Sequence, residues 1–134
     1  MRRFAVLSLV LAGLSGCVQA PDPTPSAPGF VVFFAPWSAD LDSQGQGVVM
    51  HAARAAKAAP GEPVYVEGYA DTVGSPESNF TLSKLRAQHL ADVLAQDGVA
   101  PGRIVLRPRG ATPGAGPTGS LDIESRRVVI EIGH

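Results

Sequence analysis

Asp71, Asn79 and Arg86 carry the chemistry that stands out in this 134-residue chain. Asp71 lies just past an alternating strand, and the turn Thr72-Val73-Gly74-Ser75-Pro76 folds the chain back into a helix that holds Asn79 and Arg86. Seven positions separate those two, so they share one helix stripe about 10 Å apart along the axis. A carboxylate and a guanidinium a few ångströms apart suit a ligand with both an ammonium and a carboxylate. Arg grips a carboxylate through a two-pronged fork, and Asp accepts from an ammonium. A free amino-acid head group has those two charges. By residue type alone, the pair fits a structural salt bridge equally well, which at an exposed site adds about 0–1 kcal/mol.

The elements that must position these residues are readable from patterning. Phe30 to Phe34 is a short apolar run before Pro36 and reads as a buried strand. Ser43 and Gln46 form a capping-box pattern, which predicts a helix over 44–58 with Val48, Val49, Ala52, Ala55, Ala56 and Ala59 inward. Pro63 to Ala70 alternates, with Val64, Val66, Gly68 and Ala70 on one face and Tyr65, Glu67 and Tyr69 on the other. Ser75 can cap the next helix with Pro76 at its first position. Leu82, Leu85, Leu90, Val93 and Leu94 are its expected apolar stripe, and Gly98 ends it. A strand is expected over 103–107, a Gly/Pro loop from Gly110 to Gly119, and a last strand over 126–132 with Val128, Ile130 and Ile132 inward. The order β-α-β-α-β-β with half-solvated strands predicts an α+β two-layer sandwich: a mixed sheet of about four strands with two main helices on one face.

The formal charge is −1. Without Arg2 and Arg3, the nine remaining basic residues face twelve acidic ones, a net charge near −3 that argues against nucleic-acid binding. Arg2 and Arg3 precede the apolar run Phe4–Leu14, which is too short to span a bilayer that needs about 20 helical residues. The run ends in Leu14-Ser15-Gly16-Cys17, which resembles a bacterial lipobox and implies a signal peptide over 1–16 and lipidation of Cys17. Cys17 is the single cysteine, so no intrachain disulfide forms. A palmitate-type acyl chain contributes about 0.8 kcal/mol per buried CH₂, and several chains anchor firmly. Val18 rather than Asp follows the cysteine, which under the usual sorting pattern implies the outer membrane. Residues 17–28 hold the lipidated Cys17 and a Pro-rich, extended linker, Val18 to Pro28, reaching about 34 Å, and 29–134 make the folded domain.

The segment Val66–Ala87 has a Gly68-x-x-Asp71-x-x-Gly74 turn, Asn79, and Leu82-Ser83-x-x-Arg86-Ala87. Leu41-x-x-x-Gly45, Gly98-Val99-x-x-x-Arg103-Ile104 and Arg126-Arg127-Val128 extend the pattern. Over about residues 30–132 the chain resembles the OmpA-like peptidoglycan-binding domain, found also in peptidoglycan-associated lipoprotein and flagellar stator proteins. The resemblance implies that Asp71 and Arg86 grip the diaminopimelate head group of the peptidoglycan stem peptide. It also implies that Asn79 and Arg126 line the same groove. Three departures stand out: Tyr69-Ala70 where the family has His-Thr or His-Ala, Phe34-Ala35-Pro36-Trp37 where it tends to Phe-Asp-Phe-Asp, and Ser125 in place of Asn.

The resulting expectation is a non-enzymatic outer-membrane lipoprotein. Its periplasmic domain binds peptidoglycan and ties membrane to wall, so that Asp71→Ala or Arg86→Ala abolishes sacculus binding and spares the fold. The alternative is a protein-interaction or assembly lipoprotein whose degenerate groove meets other envelope proteins. A wall-acting enzyme has little support, because no nucleophile elbow, HExxH or acid–base carboxylate pair is visible. His51, His89 and His134 lack metal-ligand spacing, and no cofactor is implied. Trp37 reads as a rim aromatic, with stacking on a sugar ring as the other reading.

Overall fold

The computed structural model describes residues 29–112 and 122–133. The leader, Cys17 and the linker, much of the Gly/Pro loop and His134 lie outside the described residues. The order is β1 (Phe30–Phe33), α1 (Ser43–Ala58), β2 (Val64–Ala70), α2 (Pro76–Gln96), β3 (Ile104–Ala111) and β4 (Arg127–Ile132). Short 3-10 turns at Pro101–Arg103 and Ile123–Ser125 precede β3 and β4. One mixed sheet runs β1-β4-β2-β3, antiparallel except for the β2–β3 pair. Both helices pack on one face, as the half-solvated strands predicted. The core between the layers gathers Val32, Val49, Ala52, Val64, Val66, Leu90, Leu94, Val128 and Ile130.

Several boundaries differ from the sequence expectation for physical reasons. Asp42, not Ser43, caps α1: its Oδ1 accepts from Gly45 N at 2.7 Å. Gln46 reaches Leu41 O instead of closing a capping box. Arg103 lies outside β3. Its guanidinium donates to Ala56 O and Ala59 O, satisfying carbonyls at the end of α1, and to Glu62 O in the loop that follows. β3 continues through Pro108, which is tolerated because β3 is an edge strand. Beyond Gly68 an extra β3 residue shifts the register.

The first half of α2 departs most. Leu90 and Leu94 are buried as expected, but Leu85 is 55 % exposed. The inward positions there are Asn79, Ser83, Arg86 and Ala87. The cause is Gly68 on β2. A Cβ added there would lie 2.1 Å from the Ser83 carbonyl oxygen, so the helix backbone sits against the strand with no room for leucines. Ser83 Oγ ties the helix to β3, donating to Phe80 O and accepting from Gly110 N at 2.9 Å. The α2–sheet seam is thus polar and close at one end and apolar at the other.

The face of the sheet away from the helices carries its own charge network. Glu67 Oε1 pairs with Arg109 at 2.9 Å and Arg107 at 3.2 Å, and Tyr69 donates to Glu67 Oε2. Arg107 lies 3.6 Å from the Tyr65 ring centroid and Arg127 lies 4.7 Å from that of Tyr69. Burial pushes the Glu67 carboxyl up, but hydrogen bonds from Arg109, Tyr69 and Arg107 outweigh it and hold the group below 4.5. A depressed carboxyl stabilises the fold above its unfolded value and loses that contribution as the pH falls through the lower folded value. Between pH 5 and pH 3 the melting temperature of the wild type is therefore expected to fall further than that of Glu67→Gln. Parallel acid branches in thermal melts would remove Glu67 as the source.

Candidate functional site

The β2–α2 turn is built for a tight reversal. Gly74 has φ +99°, a conformation that glycine adopts without strain. Asp71 Oδ1 accepts from Val73 N at 3.0 Å, and Ser75 Oγ caps α2 by accepting from Ser78 N. The turn sets Asp71 beside the inward residues of α2's first turns. Opposite them comes Arg126, on the helix-facing side of the chain entering β4, as its alternation with Val128 and Ile130 predicts. The structure therefore brings Asp71, Asn79, Arg86 and Arg126 to one place. They are 5 %, 3 %, 0 % and 7 % exposed.

The salt bridge that residue types alone allowed between Asp71 and Arg86 does not form. Asp71 Oδ2 pairs instead with Arg126 Nη1, at a loose 3.9 Å. Arg86 is held by main-chain acceptors: Nε donates to Ser38 O at 2.8 Å, Nη1 to Tyr69 O at 3.0 Å and Nη2 to Ala35 O at 3.1 Å. Its guanidinium lies 5.1 Å from the Phe34 ring centroid. Three of its five N–H donors are thus committed to carbonyls. Burial pulls the Arg86 pKa down, the Asp71 charge opposes that and Arg126 adds to it, and the balance lies at about 10. Arg126 Nε donates to Phe34 O at 3.1 Å.

Two atoms in this cluster are buried without a hydrogen-bond partner: Asn79 Oδ1 and Arg126 Nη1. Leaving a buried donor or acceptor unpaired costs about 1–3 kcal/mol, so such groups call for an explanation. The charges point the same way. Among the described residues the buried ionic side chains are Asp71, Arg86 and Arg126, one negative against two positive. The cluster lacks one anion and offers one spare acceptor. A guest carboxylate answers the first need, and an ammonium beside Asp71 gives the spare acceptor a donor.

A cleft of about 770 Å³ is lined by Thr72, Gly74, Asn79, Phe80, Arg109 and Gly110, among others, and reaches the cluster at Asn79, the only one of the four cluster residues that lines this cleft. Over Arg86 lies the β1–α1 turn, whose carbonyls the guanidinium holds. In that turn Ser38 N donates to Ala35 O, with Pro36 second and Trp37 third. Trp37 has φ +58°, the third position of a type II turn where glycine is usual. Non-glycine residues held there cost about 1–3 kcal/mol. Sequence reasoning had no signal for the carbonyls of Ala35, Ser38 and Tyr69, because main-chain acceptors are the same in every residue. His89 stays out of the cluster, with Nδ1 2.7 Å from Ala39 O.

Among the described residues no group of three or more His, Cys, Asp or Glu could hold a metal, and no helix is long and apolar enough to cross a membrane. Residues 33–127 match the model of the OmpA family. Among solved structures, the peptidoglycan-associated lipoprotein from Burkholderia pseudomallei is 23% identical, with TM-score 0.70 over 76% of this chain and 88% of that one. The OmpA-like domain of FopA1 from Francisella tularensis is 25% identical, with TM-score 0.67 over 77% and 70%. The C-terminal domain of Helicobacter pylori MotB is 22% identical, with TM-score 0.67 over 81% and 86%. A search of curated proteins returned no match.

Proposed function

The chain belongs to the OmpA family, and from that premise we propose that it binds peptidoglycan non-covalently as a lipoprotein anchored through Cys17 in the outer membrane. Its periplasmic domain ties membrane to wall and performs no catalysis. The ligand is the zwitterionic diaminopimelate end of a stem peptide. Its carboxylate sits against Arg86 and Arg126, and its ammonium against Asp71 and Asn79. The observation that carries this reading is the pair of buried orphan atoms of opposite kind, Asn79 Oδ1 and Arg126 Nη1, beside one surplus positive charge. One solved structure of the same fold is titled a peptidoglycan-associated lipoprotein, which supports the ligand class. Each site binds weakly, and many copies on one membrane facing one polymer supply the avidity.

Calorimetric titration with a sugar-free diaminopimelate stem peptide tests the reading. The wild type binds it, and a peptide with lysine at that position, which lacks the second carboxylate, does not. Asn79→Ala removes an acceptor that has no partner in the empty protein, so its melting temperature stays level or rises. Losing a hydrogen bond to a charged group costs about 1.5–3 kcal/mol, so its affinity falls roughly 10- to 100-fold. Equal affinity for both peptides would overturn the head-group assignment.

One observation favours the alternative of a protein-interaction lipoprotein with a degenerate groove. The β1–α1 turn closes over Arg86, which has no exposed surface. A turn that never lifts excludes the head group, and the same titration then gives no heat with either peptide.

A further inference from the structure

We propose that Trp37 and the outer face of α2's first turns form a platform for a sugar ring of the glycan strand, next to the head-group site. This inference rests on the peptidoglycan reading and extends it from the peptide to the polysaccharide. Trp37 is 57 % exposed although it is the largest apolar side chain in the turn, and the backbone holds it there at a positive φ. Packing does not account for it. Beside it runs a second cleft of about 380 Å³, lined by Trp37, Glu77, Ser78, Thr81, Leu82 and Leu85.

The composition of that cleft is the reason for assigning a sugar rather than an apolar protein partner. A pyranose ring has an apolar face of C–H groups and a rim of hydroxyls. An exposed indole with Leu82 and the 55 % exposed Leu85 offers the apolar surface. Glu77, Ser78 and Thr81, all exposed on the same stretch of helix, offer acceptors and donors for hydroxyl and acetamido groups. An N-acetylhexosamine uses both kinds of surface, whereas a purely apolar partner leaves the three polar side chains unused.

Position links this cleft to the first. A Cβ added at Gly74 would lie 3.5 Å from the Trp37 ring, and Gly74 also lines the cleft that reaches Asn79. Trp37 therefore stands between the two clefts. Arg86 brackets it, donating to the carbonyls of Ala35 and Ser38 on either side. The residue proposed to take the stem-peptide carboxylate also holds the turn that presents the indole. One muropeptide can thus place its peptide end inside and a sugar outside.

Trp37 is the only tryptophan, so its fluorescence reports on its own surroundings. The purified protein is titrated with three probes: peptide-free glycan oligosaccharide, sugar-free stem peptide, and the disaccharide-peptide. The glycan is expected to shift Trp37 emission saturably, and the disaccharide-peptide to bind at least about 10-fold tighter than the stem peptide. Trp37→Gly suits the left-handed turn position, so it removes the indole and keeps the turn. It should erase the 10-fold advantage, read as the ratio of the two peptide probes' affinities for the same variant, while Trp37→Phe keeps part of the advantage. The platform is overturned if the two peptide probes bind the wild type equally, if Trp37→Gly weakens both alike, or if it leaves both unchanged. Glycan binding without stem-peptide binding would keep the platform and remove the head-group reading. Stem-peptide binding with no sugar advantage would do the reverse.

Discussion

Gly68→Ala is expected to cost at least about 3 kcal/mol and to lower the melting temperature by more than about 12 °C. The new methyl group lands 2.1 Å from Ser83 O and 2.9 Å from Ser83 C, which are backbone atoms of α2 with no rotamer to escape into. Relief requires α2 to move off β2, and the movement breaks two further ties. Ser83 Oγ would leave Gly110 N, and Arg86 would be drawn from Tyr69 O on the strand. Because Asn79 and Arg86 ride on the same helix face, stem-peptide binding should weaken as well. Differential scanning calorimetry checks the first effect. A variant melting within about 3 °C of the wild type would show that strand and helix can part without penalty.

Arg86→Ala is expected to abolish stem-peptide binding and also to destabilise the empty domain, by about 1–3 kcal/mol for each buried carbonyl that loses its donor. The sequence presents Arg86 as a clamp residue whose loss spares the fold. Its complete burial changes that. Removing the guanidinium takes a donor from the carbonyls of Ser38 and Tyr69, leaves Ala35 O with only its bond from Ser38 N, and frees the turn that holds Trp37. Loss of binding in this variant therefore does not separate ligand contact from collapse of the site. Arg86→Lys separates them, since it keeps a charge that can reach some of these acceptors but lacks the planar fork. It should melt above Arg86→Ala in circular dichroism and still bind the stem peptide at least about 10-fold more weakly than the wild type. If Arg86→Ala melts like the wild type, the three main-chain bonds contribute little. If Arg86→Lys binds like the wild type, the fork is not what holds the carboxylate.

The reach of local pattern explains what could be read in advance. The alternation of Val64, Val66, Gly68 and Ala70 against Tyr65, Glu67 and Tyr69 needs only the period of a strand, and the structure keeps both faces. Ser75 and Pro76 start α2 as their chemistry dictates. The seven-residue spacing places Asn79 and Arg86 on one buried stripe whatever the helix packs against. The leucine stripe failed at Leu85 because periodicity says which residues share a face, not which face a neighbouring backbone approaches closely. That was decided by the missing Cβ of Gly68, a contact between residues fifteen positions apart in the chain.

Local pattern was enough for the α+β layering, the tight turn after Asp71, and the set of charged side chains that can meet a zwitterion. All of these follow from side-chain type and spacing within a single element or its junction. The packed fold was needed to show that Asp71 pairs with Arg126 rather than Arg86, that Arg86 is sealed by main-chain carbonyls, and that Trp37 is lifted into solvent above Gly74. These facts depend on distances between elements remote in sequence and on backbone oxygens common to every residue. Neither leaves a mark in the order of side chains.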